Sequence, residues 1–234
     1  MRDEAAVVVV GMSVREVVAG ATLTRLAAEV GGTVAHLQVG DPSLSRELTR
    51  LADGGAERIT LVGVSLGSLA PAASWLRRIA AHWWRERAGP RPELEVTSSL
   101  VRDDVDLTAA LADVRRVTGD EPGLTSAAWG AVSRHRHQLL ICRGPRCTAL
   151  GSDTTAEAFV LALMERGLGD DDVLVTHTGC QLPCNQAPVV SVQPDDVWYG
   201  GVDREVARAI VAEHLVGGRP YDERRLPRAQ GPLG

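Results

Sequence analysis

The chain is 234 residues long, 44% hydrophobic and 24% charged, with a formal net charge of -5 and four cysteines. Those figures describe a soluble globular protein able to bury a core as one domain or two without disulfide staples, and they exclude collagen-like, mucin-like and wholly disordered classes. All 25 basic residues are arginine, which excludes Schiff-base and pyridoxal-phosphate enzymes and the lysine-bearing P-loop. The mildly acidic balance argues against a nucleic-acid partner, which calls for a basic stripe. No apolar run approaches the roughly 20 residues that cross a bilayer, and Met1-Arg2-Asp3-Glu4 leads into a strand rather than a signal peptide. The expected compartment is therefore the cytoplasm, where cysteines point to metal or redox chemistry ahead of disulfides. Up to Thr118 there are 14 basic and 15 acidic residues, and after it 11 and 15. The acidity thus gathers in the C-terminal half, and a basic patch is the expected complement on any protein partner of that half.

In chain order, Ala5 to Val10 is an unbroken apolar run that predicts a strand buried on both faces. Val14 to Val30 has helical spacing, Thr33 to Val39 reads as a strand, and Ser43 to Ala52 as a helix opened by Asp41-Pro42 and closed near Gly54-Gly55. Arg58 to Val64 is a further buried strand. Pro71 to Arg87 is a long helix with Trp75, Leu76, Ile79 and Trp83 at core spacing; Leu94 to Thr97 reads as a strand and Leu107 to Val117 as a helix. Repeated βα units of this kind predict an open, doubly wound parallel sheet over residues 1–118. Gly119-Asp120-Glu121-Pro122-Gly123 breaks the pattern and opens a linker expected over 119–136. A second domain, 137–216, follows: a strand at Gln138 to Cys142, a helix at Thr154 to Arg166 and a strand at Asp172 to Thr176. It continues with a hairpin of Val189 to Val192 and Val197 to Tyr199 across Pro194-Asp195-Asp196, then a helix at Asp203 to Leu215 capped by its aspartate. Residues 217–234, rich in Gly, Arg and Pro, read as a mobile tail.

The four cysteines all lie in the second domain: Cys142 and Cys147 have four residues between them, Cys180 and Cys184 three, and 32 separate the pairs. Each pair follows a predicted strand, so two strand-to-loop corners on one edge of a small sheet can bring four sulfurs together. Buried inert thiols would not gather in two pairs at equivalent strand ends. Structural zinc favours C-x2-C knuckles, which neither pair supplies, and disulfides do not suit the compartment. Iron–sulfur ligation remains, and four thiolates can hold a [2Fe–2S] or a [4Fe–4S] cluster. The wide spacing within pairs fits a rhomb in which each pair grips one iron. Gly144 and Gly179 beside the ligands would allow close backbone approach and N–H contacts to sulfur, and Pro145 and Pro183 would stiffen the loops.

The stretch LLICRGPRCTALGS, the helix after it and THTGCQLPCNQAPVVSVQPDDVWYGGVDREVA resemble the thioredoxin-like [2Fe–2S] ferredoxins, which are similar to the small ferredoxin-like subunit of respiratory NADH dehydrogenases. The resemblance covers about residues 137 to 216. It implies a [2Fe–2S] cluster held by the C-x4-C and C-x3-C pairs, here Cys142, Cys147, Cys180 and Cys184, with the Pro188-Val189-Val190 strand and the Trp198-Tyr199 hairpin beside them. It also implies one-electron transfer between a reductase and an acceptor protein, with no bond chemistry performed by the chain itself, and homodimers as an arrangement.

Over residues 5 to 117, VVVVGMSVRE and DPSLSRELTRLADGGAERITLVGVSLGS resemble the class II tetrapyrrole chelatases that insert cobalt or iron into sirohydrochlorin. The resemblance implies a chelatase-like α/β domain and a tetrapyrrole as candidate ligand. The family places one histidine after the first strand and another before the third helix, where this chain has Met12 and Leu69-Ala70-Pro71. Thioether and alkyl groups accept no proton from a pyrrole, so the domain is expected to bind a tetrapyrrole, dock a partner or hold a dimer rather than insert metal. An alternative for the whole chain is an enzyme or accessory factor of tetrapyrrole or cobalamin metabolism whose cluster serves reduction or sensing. A second alternative starts from Gly63-Val64-Ser65-Leu66-Gly67, which fits the nucleophile elbow of a hydrolase with Ser65 as nucleophile. No acid or histidine follows at a suitable place for it, His82 being inside a helix and His135 and His137 in the linker. Arg134 to His137 reads as a solvated linker, His177 as a loop histidine near the cluster, and Asp170-Asp171-Asp172 as a solvated turn.

Overall fold

The computed structural model describes residues 5–66, 71–102 and 106–229; Gly67 of the elbow motif and Leu69-Ala70 lie outside them. The chain divides into two compact units, Met1–Trp129 and Gly130–Gly234.

The first unit is built on β1 (Ala5–Gly11), which pairs in parallel with β2 (Thr33–His36) on one side and β3 (Arg58–Val64) on the other. β4 (Glu93–Thr97) extends the sheet in parallel and β5 (Val114–Arg116) closes it antiparallel, in the order β2-β1-β3-β4-β5. The valine run of β1 is buried on both faces, Val8, Val9 and Val10 each at 0% exposure, because helices cover the sheet on two sides. Val8 and Val10 pack with Leu44 and Leu48 of α3 (Leu44–Asp53) and with Leu76, Ala80 and Trp83 of α4 (Ala73–Glu86), which here follow α1 (Val14–Val18) and α2 (Gly20–Glu29). Val9 and Val62 face the other way, toward Leu23 and Ala27 of α2 and Leu107 and Ala110 of α5 (Leu107–Leu111).

The expected helix over Val14 to Val30 is two helices, broken at Ala19, whose N–H closes α1 on the Arg15 carbonyl. Ser13 and Glu16 form a capping box at the start of α1, and the fully buried Glu16 carboxylate also accepts from the backbone N–H of Leu66 at 2.7 Å, tying α1 to the end of β3. The second strand stops at His36, short of Val39, which has a left-handed φ of 66°. The expected helix over Leu107 to Val117 ends at Leu111 instead. Its C-terminal part is β5, because Val114 to Arg116 can satisfy the open edge of β4 and set Arg116 3.2 Å from Glu93.

Residues 118–129, expected to begin a linker, are docked on α4. Arg77 donates to Glu121 Oε1 at 2.8 Å, Arg85 to the Gly119 carbonyl at 2.9 Å, and Trp129 stacks on Trp75 with centroids 5.4 Å apart and Arg78 over both rings.

The second unit is a four-stranded sheet in the order β7-β6-β8-β9. β6 (His137–Cys142) pairs parallel to β7 (Val173–Thr178) and antiparallel to β8 (Val190–Gln193), which forms the expected hairpin with β9 (Val197–Tyr199). Helices α6 (Pro145–Ala149), α7 (Ser152–Glu165) and α8 (Arg204–Ala209) complete it, α8 widening into a π-helical turn over Ile210–Val216. Asp203 caps α8 through the Val206 N–H at 2.9 Å, and Phe159 of α7, the one phenylalanine of the chain, is fully buried.

Of the segment after 217, expected to be mobile, residues 224–228 are laid along β9. Gly200 N–H donates to the Arg224 carbonyl at 3.1 Å, Leu226 N–H to the Trp198 carbonyl at 2.7 Å, and Arg228 pairs with Asp196 over the Trp198 ring. The exposed edge of the sheet thereby finds backbone partners, which composition alone cannot signal. Among the described residues no helix is long and apolar enough to cross a membrane.

Candidate metal centre

β6 and β7 run parallel with Cys142 opposite Thr178, so both strands deliver their following loops to the same end of the sheet. Cys142 is the last residue of β6, and its N–H is anchored on the Val189 carbonyl at 3.1 Å. Cys147 sits in α6, a short helix the C-x4-C spacing did not announce, started by Pro145 at its first turn with Gly144 as N-cap. Cys180 follows β7, and Cys184 opens a 3-10 turn, Cys184–Gln186.

The two loops meet at Gly144: a Cβ there would lie 2.9 Å from Cys180 Cβ and 3.0 Å from its Cα. Only a residue without a side chain permits that approach. Gly179, expected to do the same, has nothing within 4 Å of the corresponding position; its carbonyl instead faces Cys142 Sγ at 3.5 Å.

The Sγ atoms of Cys180 and Cys184 are 3.4 Å apart. Cys142 is near enough to influence the thiols of Cys147, Cys180 and Cys184, so both pairs lie at one end of the sheet; among the described residues no three His, Cys, Asp or Glu side chains form a ready-made metal-binding group. Cys142 and Cys147 are each 2% exposed and pack with Val189, Ala187 and Trp198, while Cys180 is open to solvent. Burial pushes the Cys147 thiol up to about 11, with the neighbouring thiols adding to the effect. Cys180 lies below the ordinary thiol value because the Leu182 backbone N–H donates to it, and Cys184 lies above because it shares a hydrogen bond with Cys180.

Four soft donors on two touching loops, half sheltered and half exposed, suit a thiolate-ligated iron centre. An iron–sulfur cluster fits them: the close approach at Gly144 sets the loops at short range, and the apolar wall of Val189, Ala187 and Trp198 excludes water from one side.

His177 is exposed on β7 and has no hydrogen bond to a cysteine among the described residues. His137, expected in a solvated linker, opens β6, with its Nε2 3.2 Å from the Asp195 carboxylate. Asp195 also meets His214 Nε2 at 3.0 Å, Tyr199 OH meets His214 Nδ1 at 2.8 Å, and the Tyr221 N–H donates to Tyr199 OH at 3.1 Å. Sequence reasoning missed this network; its one signal is that His214 falls four residues after Ile210 on the inward face of the last helix. In the first unit Met12 is fully buried in the core, and Ser65 is 2% exposed with its N–H on the Val101 carbonyl at 2.9 Å, so neither side chain stands open to a ligand.

No family model matches the chain. The chain spans 64% of the length of a Priestia megaterium relative with which it is 40% identical over 83 residues, 36% of this chain. A 2Fe-2S ferredoxin of Aquifex aeolicus is 35% identical over 86 residues, covering 37% of this chain and 78% of the relative. A 2Fe-2S ferredoxin of Clostridium pasteurianum is 33% identical over 91 residues, covering 36% and 88%. Among solved structures, the wild-type thioredoxin-like [2Fe–2S] ferredoxin from Aquifex aeolicus matches at 32% identity over 39% of this chain and 97% of that chain, with a TM-score of 0.37. SirB from Bacillus subtilis with Fe3+ matches at 16% identity over 76% and 68%, with a TM-score of 0.36. On the two sequence relatives of which it covers 78% and 88%, the chain belongs to the 2Fe-2S ferredoxins.

Proposed function

We propose that the protein is a one-electron carrier that holds a [2Fe–2S] cluster through Cys142, Cys147, Cys180 and Cys184. The observation that supports this reading is the contact at Gly144, which sets the loop carrying Cys142 and Cys147 against Cys180, whose Sγ lies 3.4 Å from that of Cys184. When bound, the cluster supplies an iron pair that takes up and releases a single electron. The chain's own residues do the rest. Cys142 and Cys147 hold one side against Val189 and Trp198, shielding it from water. Cys180, exposed, gives the other side a short route to the surface. Burial keeps the Cys147 thiol protonated, so holding a cluster there would require that proton to leave, and loading would be favoured by higher pH.

Its partners are proteins that deliver and accept electrons, a reductase and an acceptor. The cytoplasm, whose reducing thiol pool keeps cysteines free for metal, fits this chemistry. Iron and acid-labile sulfide analysis of anaerobically purified protein tests the reading, with EPR before and after dithionite. About two irons and two sulfides per chain and a rhombic signal only on reduction are expected, with Cys142→Ser and Cys184→Ser each losing or altering that signal. Zinc without sulfide would sink the proposal.

A further inference from the structure

The stretch after the last helix runs beside the part of the second unit that carries the cysteines. Gly200 N–H donates to the Arg224 carbonyl at 3.1 Å and Leu226 N–H to the Trp198 carbonyl at 2.7 Å, on either side of an antiparallel bridge between Tyr199 and Arg225. Upstream, the Tyr221 N–H donates to Tyr199 OH at 3.1 Å. Downstream, Arg228 pairs with Asp196 and lies over the Trp198 ring. Residues 222–229 are all exposed except Leu226, which is half-buried.

Two sets of contacts lead from this stretch to the cysteines. The first runs through Gly200. A Cβ there would lie 2.9 Å from Leu226 Cδ2, 2.9 Å from Gln186 Cβ and 3.0 Å from the Gln186 carbonyl oxygen. Leu226 and the end of the Cys184–Gln186 turn thus press on one residue, and only glycine leaves room for both. The Gly201 N–H donates to the same Gln186 carbonyl at 2.7 Å, and the Val202 N–H to the Pro188 carbonyl at 3.1 Å. The second set runs through Trp198, half-buried, which packs against Cys142, Cys147 and Val189 while Arg228 lies over its ring.

β9 is only three residues long, and a short edge strand frays when nothing pairs with it. Its neighbour here is held by a few backbone hydrogen bonds, one half-buried leucine and a surface ion pair. A segment with so few buried contacts opens locally at a free energy well below that of global unfolding. Opening takes Leu226 from Gly200 and Arg228 from Trp198, the two supports on this side of the cysteine loops.

We propose that residues 221–228 are a strap over the metal centre. Leu226 is a positioning residue that holds the Cys184 turn through Gly200, and the pairing with Trp198 keeps water from Cys142 and Cys147. Opening of the strap, and not unfolding of the unit, then sets how fast the buried thiols meet solvent. The redox consequence rests on the cluster reading above, whereas the effect on the thiols stands without metal. Reduction adds a negative charge that entering water solvates, so a looser strap raises the reduction potential.

The test compares the full-length parent with Leu226→Gly and Arg228→Ala. In protein stripped of iron under reducing conditions, alkylation by iodoacetamide is followed at each cysteine by mass spectrometry, with exposed Cys180 as internal reference. The rate at Cys142 and Cys147 relative to Cys180 is expected to rise roughly tenfold in Leu226→Gly, the size of exposing about half a leucine. In Arg228→Ala it is expected to rise about two- to fivefold. In loaded protein, iron is expected to leave to a chelator faster by similar factors, and the reduction equilibrium constant to rise severalfold. A residue that only added to global stability would lower the urea midpoint and leave the potential and the thiol ratio unmoved. Arg228→Ala removes a surface contact alone, so it decides the test even where Leu226→Gly unfolds. Unchanged thiol ratios in the folded variants overturn the strap, while iron and sulfide in the parent leave the cluster reading in place. A parent purified without iron and sulfide overturns the cluster reading, and the thiol ratios then still decide the strap.

Discussion

Replacing Gly144 by alanine tests whether the touching of the two cysteine loops sets the ligand geometry. The added methyl would stand 2.9 Å from Cys180 Cβ and 3.0 Å from Cys180 Cα. Carbon atoms at rest lie about 3.5–4.0 Å apart, so the loops must part by roughly 0.5 Å or more. The backbone atom cannot rotate away, which makes the strain an overpacking cost of about 1–3 kcal/mol. Metal–ligand distances tolerate only about 0.2 Å, and a shift larger than that at Cys180 is expected to lower iron and sulfide per chain severalfold and to speed cluster loss to a chelator. Iron and sulfide analysis and the decay of visible absorption under chelator measure both. Gly179→Ala is the matched control, one residue from Cys180 with open space around the new methyl, and full loading is expected. If Gly144→Ala loads and holds its cluster as the parent does, contact at Gly144 does not position the cysteines and the geometric argument fails.

His214 is 2% exposed and burial holds it below the ordinary histidine value, against the pull of Asp195; His36, 7% exposed, is lowered by burial as well. In the unfolded chain both take up a proton near pH 6.5 and in the folded protein only at lower pH, so the unfolded state binds more protons in between and stability falls as pH drops below about 6.5. Urea unfolding at pH 7.5 and 5.5 is expected to show that decline, and His214→Gln to reduce it; equal slopes would refute the assignment. Tyr199→Phe removes the hydroxyl that serves both His214 and the Tyr221 N–H and is expected to cost about 1–3 kcal/mol, read as a lower denaturation midpoint. Glu16→Ala strands the Ser13 and Leu66 N–H groups and is expected to cost about 2–3 kcal/mol in thermal unfolding, leaving iron content unchanged. Phe159→Ala, at a fully buried site, is expected to cost about 3–5 kcal/mol, and a loss below 1 kcal/mol would show that α7 does not depend on that ring.

The cysteine quartet was legible in the sequence because its signal is local: two close pairs, each just after an apolar strand run, need no long-range information to be recognised. The valine run of β1 is likewise self-announcing, since a strand covered on both faces must be apolar throughout. Features that depend on what lies across from a residue were not legible. Val114 to Arg116 has helical neighbours on its N-terminal side, and only the open edge of β4 makes it a strand. Gly144 and Gly179 look alike in the sequence, yet one faces the Cys180 backbone and the other open space.

The sequence by itself determined that the chain is α/β, that a repeated βα region precedes a smaller strand–helix–strand–hairpin region, and that four cysteines fall in two pairs within the second, because hydrophobic period and residue type are written position by position. Tertiary structure decided where the charges and tails go. A count of acidic residues describes the half as a whole, while strand direction and register send Asp170, Asp171, Asp172, Asp195 and Asp196 to the end away from the cysteines. The stretch from Arg224 to Leu226 has no apolar periodicity to betray it, and is held because the free edge of β9 offers backbone hydrogen bonds that no local pattern records.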